Sequence, residues 1–399
     1  MANLTAYEPQ EEAQMRKRLF GIIAALSLLV LPGMNGANAG PTPGGIASDN
    51  VEYVRFVPFE VGTATGVTIK DKYMYLTSWK NITIYDISDP TNPQMVGTPF
   101  PLGFKFENEN VNITPDGKYL LFSEELPQNF LHVYDVEDKS NIQEVASVAG
   151  VGDHTSTCIL KCKWVYGSDG SITDLRDPTN PKVIAAAGQE GNWHQLIGLQ
   201  GGGHDVEEYK NGFIVVSPIS APLMALDVRN PLKPKVLGVG EHPNPAGFLF
   251  HSGRWPRGGK DKFLLMQGER NAQPRCNENN GPFMTWDASK VRKTKTFKLI
   301  DTFRVSNGTV ADGSPPVNGL GCSAHWFEEH ASFKNGGLVA VGYYEHGTRF
   351  LRVDKKGKIS EEGYFLPYGG STSAAYWANK EIVYAVDYTR GLDILRWRG

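Results

Sequence analysis

Most of the features that announce a function are missing from this chain. Lys and Arg number 40 against 43 acidic residues in 399, a formal charge of −3. That balance leaves no basic excess for a phosphate backbone, so nucleic acid is not an expected partner. There is no G-x-S-x-G elbow, Walker loop, H-E-x-x-H or helix-opening G-x-G-x-x-G, which removes the common hydrolase, nucleotide-binding and zinc-protease signatures. Nor is any apolar run as long as the ~20 residues that a membrane helix needs. Cysteine is scarce at four and histidine at nine, so the position of each matters.

The N-terminus carries a targeting pattern. Arg16, Lys17 and Arg18 precede an apolar run over 19–31, then Pro32, then Ala37-Asn38-Ala39. This order predicts a signal peptide over 1–39, a linker over 40–50 and one domain over 51–399. The mature chain is expected to be secreted or periplasmic, with no transmembrane span. Four cysteines in an exported chain predict two disulfides, with three connectivities available. Cys158–Cys162 and Cys276–Cys322 are the favoured pairs.

What is abundant is glycine, at 44, and proline, at 25, punctuating short apolar stretches as turns punctuate strands. One pattern recurs in TIYDISDPTNPQMVG (83–97), HVYDVEDKSNIQEVA (132–146), ITDLRDPTNPKVIA (172–185) and MALDVRNPLKPKVLG (224–238). Weaker copies lie at 283–290, 350–365 and 391–397. Upstream of each copy is a hairpin, with tips such as Pro115-Asp116-Gly117, Asn211-Gly212 and Asn335-Gly336. Four strands in a repeat of roughly 40–50 residues are the mark of a propeller blade. The expected fold is all-β, a seven-bladed β-propeller closed by the N-terminal strand 51–59, because the last repeat stops after its third strand.

The Y-D-[IV]-x-[DN]-P-x-x-P signature resembles the LVIVD-repeat proteins, a bacterial family of propellers, over essentially all of the mature chain. Those proteins in turn resemble the selenium-binding protein and methanethiol oxidase family, and that likeness implies a histidine-bound copper.

Four of the nine histidines open the first hairpin strand of successive blades: His154, His204, His251 and His325. First strands line a propeller's channel, so one phase means one level. The equivalent positions elsewhere are read as Gly66, Asn112 and Ala375, leaving an open sector opposite the histidines. Imidazole is the commonest metal ligand, and the four are the candidate metal ligands. Acids end second strands at Glu124, Glu269, Glu345 and Asp387 and are candidates to hold the other ring nitrogens. An imidazole-only set suits copper, in first place, or non-haem iron. The arrangement resembles the iron centre of the carotenoid-cleaving oxygenases in geometry, without a shared motif. Two function classes follow. One is a metal-dependent oxidoreductase acting on a small molecule. The other is a non-catalytic platform that binds an envelope protein or ligand.

Overall fold

Each repeat's aspartate ends a strand because its carboxylate takes over the backbone hydrogen bonding that the ladder gives up. Asp86 Oδ1 accepts from the Ser88 amide at 2.8 Å, Asp135 from Glu137 at 2.9 Å and Asp174 from Arg176 at 3.0 Å. Three residues on, the device repeats. Asp89 accepts from the Thr91 amide at 2.9 Å, Asp138 from Ser140 at 3.0 Å and Asp177 from Thr179 at 3.1 Å. Two such Asx turns in tandem reverse the chain into the next strand. In three of the repeats the third and fourth strands then slip register at one place, between Val133 and Tyr134, Ile172 and Thr173, and Ala225 and Leu226. A bulge there sharpens the local twist.

The structure, a computed structural model, describes residues 44–58, 64–103, 109–125, 129–243, 248–269, 280–305 and 321–399. The expected signal peptide and Cys276 lie outside the described residues. The strands form antiparallel sheets in chain order, as in Ser156–Ile159, Trp164–Gly167, Ile172–Asp174 and Lys182–Ala185. First strands in this sense are Ala64–Lys70, Asn112–Ile113, Ser156–Ile159, Gly202–Lys210, Leu249–Arg254, Phe327–Glu329 and Thr372–Trp377. Val51–Pro58 breaks chain order, because it pairs antiparallel with Gly391–Trp397 at the opposite end of the sequence. Among the described residues no helix is long and apolar enough to cross a membrane.

Alternating side chains send each sheet into two cores. Leu120 and Phe122 pack with Tyr75, Ile82 and Ile84 of the preceding sheet, whereas Leu121 packs with Val165 of the following one. The last sheet meets the first: Tyr384, Val386, Leu392 and Ile394 share a cluster with Met74, Leu76 and Tyr85.

First strands have backbone groups with no fourth-strand neighbour to bond, and polar side chains of the adjacent first strand supply the partner. Asn112 donates to the Ser156 carbonyl at 2.7 Å and accepts from the Cys158 amide at 2.9 Å. Thr155 donates to the His204 carbonyl at 2.5 Å, and Glu328 accepts from the Trp377 amide at 2.6 Å. Polar residues are therefore needed on these strands, and their bonds bring the strands together.

The Cys158–Cys162 disulfide is formed, with Cα atoms 4.5 Å apart. It braces a hairpin turn in which Leu160, Lys161 and Cys162 all have positive φ, at 54°, 61° and 55°. Cys322 is also disulfide-bonded.

Candidate metal centre

The four phased histidines meet. Ring centroids of His154 and His204 are 4.6 Å apart, those of His204 and His251 4.1 Å, and those of His251 and His325 4.0 Å. His204, His251 and His325 are almost fully buried. Each ring has its Nδ1 occupied. His204 Nδ1 donates to the His251 carbonyl at 3.0 Å, and His325 Nδ1 donates to the Ser373 carbonyl at 2.8 Å. His154 Nδ1 faces Glu125 Oε2 at 3.2 Å, and His251 Nδ1 faces the Gln267 amide at 3.3 Å. Donation from Nδ1 leaves Nε2 of His204 and of His325 as the lone pair for a metal.

A fifth ligand candidate went unread in the sequence. Glu109 Oε1 lies 2.8 Å from His154 Nε2, and its Oε2 lies 3.2 Å from His325 Nε2. Trp326 Nε1 donates to the same Oε2 at 2.5 Å. Glu109 therefore spans the gap between the first and last histidines, where an open sector was expected. It is in phase with them. Asn112 bonds Ser156 as Thr157 bonds Val206 on the next strand, so Asn112 matches Thr157, and Glu109, three residues earlier, matches His154. By the same reckoning Ser373, not Ala375, is the position that faces His325.

Ligand atoms of Glu109, His154 and His204 lie within 4.8 Å of one another, as do those of Glu109, His251 and His325 and those of His204, His251 and Glu269. Two donors at right angles, each about 2.1 Å from an ion, are about 3 Å apart, and the Glu109 to His154 and His325 distances match that spacing. His251 Nε2 is buried without a hydrogen-bond partner, its nearest carboxylate being Glu269 at 4.0 Å. The donor set fits a transition metal and does not fit calcium or magnesium, which take oxygen ligands.

Comparison with known proteins decides the architecture. A family model described as the LVIVD repeat matches residues 61–98. No curated protein matches this sequence. Among solved structures, the β-propeller domain of Myceliophteria thermophila Cps50 (Swd1) is similar over 86% of this chain and 99% of its own, with a TM-score of 0.56 at 12% identity. U3-55K is similar over 90% and 99%, with a TM-score of 0.54 at 10% identity. The RRP9 WD40 repeats are similar over 89% and 98%, with a TM-score of 0.55 at 10% identity. The fold is a β-propeller.

Of the acids expected behind the propeller's histidines, Glu269 is the one that lies beside a ring. Glu124 instead bonds His132 Nε2 at 2.9 Å within its own sheet. Its neighbour Glu125, one residue past the strand end, reaches His154. Glu345 accepts from the Gly321 amide. Asp387 accepts from the Thr389 amide at 2.8 Å and closes a turn.

Burial keeps two of the rings neutral, while carboxylates favour the charged form of a third. Burial, with His154 beside it, pushes His204 down to about 3, and burial also holds His251 well below the usual imidazole range. Burial opposes protonation of His154, but Glu109 and Glu125 raise it well above that range. Burial opposes ionisation of Glu109 too, yet His325 and His154 hold its carboxyl well below the usual carboxylate range.

A second charged tier lies three residues along the same strands. Arg254 sits 3.7 Å from Glu207, 3.7 Å from Glu328 and 3.8 Å from Glu329. It too was legible, since H-D-V-E, H-S-G-R and H-W-F-E put a charged residue three places after each of three histidines.

Proposed function

We propose that this chain is an exported seven-bladed propeller, closed by its N-terminal strand, that holds one redox-active ion and acts as an oxidoreductase on a small molecule. The ion is copper in first place, or non-haem iron. The observation that carries this reading is that His154, His204, His251 and His325 cluster with Glu109 in overlapping groups of three candidate ligands. Ring closure is supported by the pairing of Val51–Pro58 with Gly391–Trp397 and by the core that the last sheet shares with the first. Export is supported by the leader pattern and by the Cys158–Cys162 disulfide, since such bonds persist in oxidising compartments. Export and the resemblance to methanethiol oxidases favour copper over iron.

Copper or iron in this donor set supplies one-electron exchange and Lewis acidity at a single point. The remaining work falls to the chain. The Nδ1 partners hold each imidazole in one orientation, and the carbonyls facing His204 and His325 also fix the tautomer. Trp326 fixes the Glu109 carboxylate, whose charge offsets that of a cation in a dry setting. Burial of His204, His251 and His325 keeps bulk water from their nitrogens.

Elemental analysis of protein purified from its native compartment tests the proposal. About one equivalent of copper or iron is expected, lost on His251→Ala or His325→Ala. Protein that carries no metal and takes up none from solution would instead be a binding platform.

A further inference from the structure

Charge is spread unevenly over the propeller. In four successive blades the hairpin tips and the turns between third and fourth strands span 160–163, 174–182, 209–212, 227–235, 257–262, 287–298, 333–336 and 354–358. These segments hold 20 of the 40 Lys and Arg, against six Asp and no Glu. Asp174 and Asp227 are taken up by Arg176 and Arg229, and Asp261 is buried. In the other blades the matching segments, 69–72, 86–94, 116–118, 135–143 and 378–381, hold five Lys against eight acids. A formal charge of −3 therefore hides a basic arc. Backbone bonds place each tip beside the turn of its own blade: the Leu175 amide donates to the Lys163 carbonyl at 2.9 Å, Val228 to Gly212 at 2.9 Å and Ala288 to Lys262 at 2.8 Å. Neighbouring blades are tied at the same level. The Tyr166 phenol donates to the Pro231 carbonyl at 2.6 Å, and the Lys262 amide to Asn335 Oδ1 at 3.1 Å.

Aliphatic side chains stand among these charges. Val183, Ile184, Leu232 and Val236 are 39–46% exposed, half of the large apolar side chains exposed among the described residues. They adjoin Lys182, Lys233 and Lys235, which are exposed too. Sixteen of the 20 cations are lysine, the cation that protein interfaces deplete in favour of Arg and aromatic rings. Lysines with aliphatic side chains between them suit a layer of anionic headgroups over an acyl boundary. We propose that this arc is a docking surface for an anionic phospholipid bilayer. Its lysines meet the lipid phosphates, and Leu232 with its aliphatic neighbours reaches the acyl boundary. His204 lies near the start of Gly202–Lys210 and Lys210 at its end, so docking holds the histidine end of the strands away from the bilayer.

Vesicles of equal parts phosphatidylglycerol and phosphatidylcholine are the probe, with binding read by co-sedimentation. The protein should bind them at low ionic strength, release them in about 1 M salt, where charge is screened beyond ~3 Å, and ignore vesicles of phosphatidylcholine alone. Changing Lys233, Lys235 and Lys293 together to Gln should weaken binding roughly 100-fold, about 5-fold for each lysine. The Tm should stay as in the parent, because all three side chains are exposed. Leu232→Ser should weaken binding about 10-fold through lost apolar burial. Changing Lys72, Lys118 and Lys380 to Gln, on the acidic blades, should leave binding as it is. A parent that ignores the anionic vesicles, or binds phosphatidylcholine equally well, overturns the inference. So does a Lys233, Lys235 and Lys293 variant that binds as the parent does. Duplex DNA or polyglutamate bound as tightly as the vesicles would mark a general polyanion site and overturn the bilayer reading. Metal content plays no part in the measurement, so this inference and the metal reading fail separately.

Discussion

Glu109 and His132 set the ligand reading its sharpest contrast, because both are buried and only one faces the centre. Glu109→Gln keeps the shape and the oxygen that Trp326 reaches, but removes the charge. Metal affinity should fall by about 100-fold or more, at or beyond the ~10–100-fold typical of residues behind a ligand, as read by competition with a chelator. His132→Ala should leave metal content untouched. That histidine instead joins Glu124 at 2.9 Å and Glu144 at 2.8 Å inside its own sheet, so its loss should cost stability, roughly 1–3 kcal/mol, as a lower Tm. The histidines were legible in the sequence because four of nine share one offset. Glu109 was missed because the strand it precedes is only Asn112–Ile113, and counting from that strand's start slips the phase by three residues. Counted back from the hairpin turn, Glu109 stands five residues before Thr114, as His154 stands five before Ile159.

The strand-ending acids were the clearest elements in the sequence, and the reason is physical: an Asx turn needs a short acceptor at one position. The same turns make the fold sensitive to acid. The hydrogen bond from Lys72, then the turn itself, lowers Asp86 to about 2 from an ordinary 3.8. Turn bonds from Thr91 and Ser140 lower Asp89 and Asp138. Salt-bridging hydrogen bonds from Arg176 and Arg229 lower Asp174 and Asp227. A carboxyl depressed in the folded state stabilises that state above the unfolded value, and its contribution is lost as pH falls through the folded one. The Tm should therefore decline between about pH 4 and pH 2. Asp89→Asn with Asp138→Asn keeps both turn acceptors but removes two titrating groups, so that variant should show a shallower decline by calorimetry. A slope equal to the parent's would mean that these turns do not carry the acid sensitivity. Side-chain destinations at strand ends were less legible. Glu124 and Glu125 differ by one residue, and alternation sends them to opposite faces, so Glu124 meets His132 in its own sheet and Glu125 reaches His154 beside the next.

At the scale of the molecule, the repeat pattern led to the propeller, since each blade buries both faces and none is stable alone. How the ring closes depends on which edges are left over. The sheet of Thr372–Trp377, Ile382–Asp387 and Gly391–Trp397 would end in an open edge without Val51–Pro58. That strand also carries apolar cargo: Val51 packs beside Leu395 and Trp397, and Tyr53 stacks on Phe365 with centroids 5.4 Å apart. A chain beginning at residue 60 would thus expose both a row of unpaired backbone groups and an apolar face, the combination that templates association. It should elute as oligomers and melt at lower temperature. A synthetic peptide of residues 51–58 supplied in trans should bind the Gly391–Trp397 edge and return the chain to a monomer. A truncated chain that stays monomeric with an unchanged Tm would mean that the ring does not depend on this strand. The metal centre offers a second reading of the same experiment, because a ring closed by this strand would set the spacing of every first strand around the axis. If His154 through His325 are held by the ring, truncation should weaken metal binding even though no ligand has been touched, and the peptide should restore it.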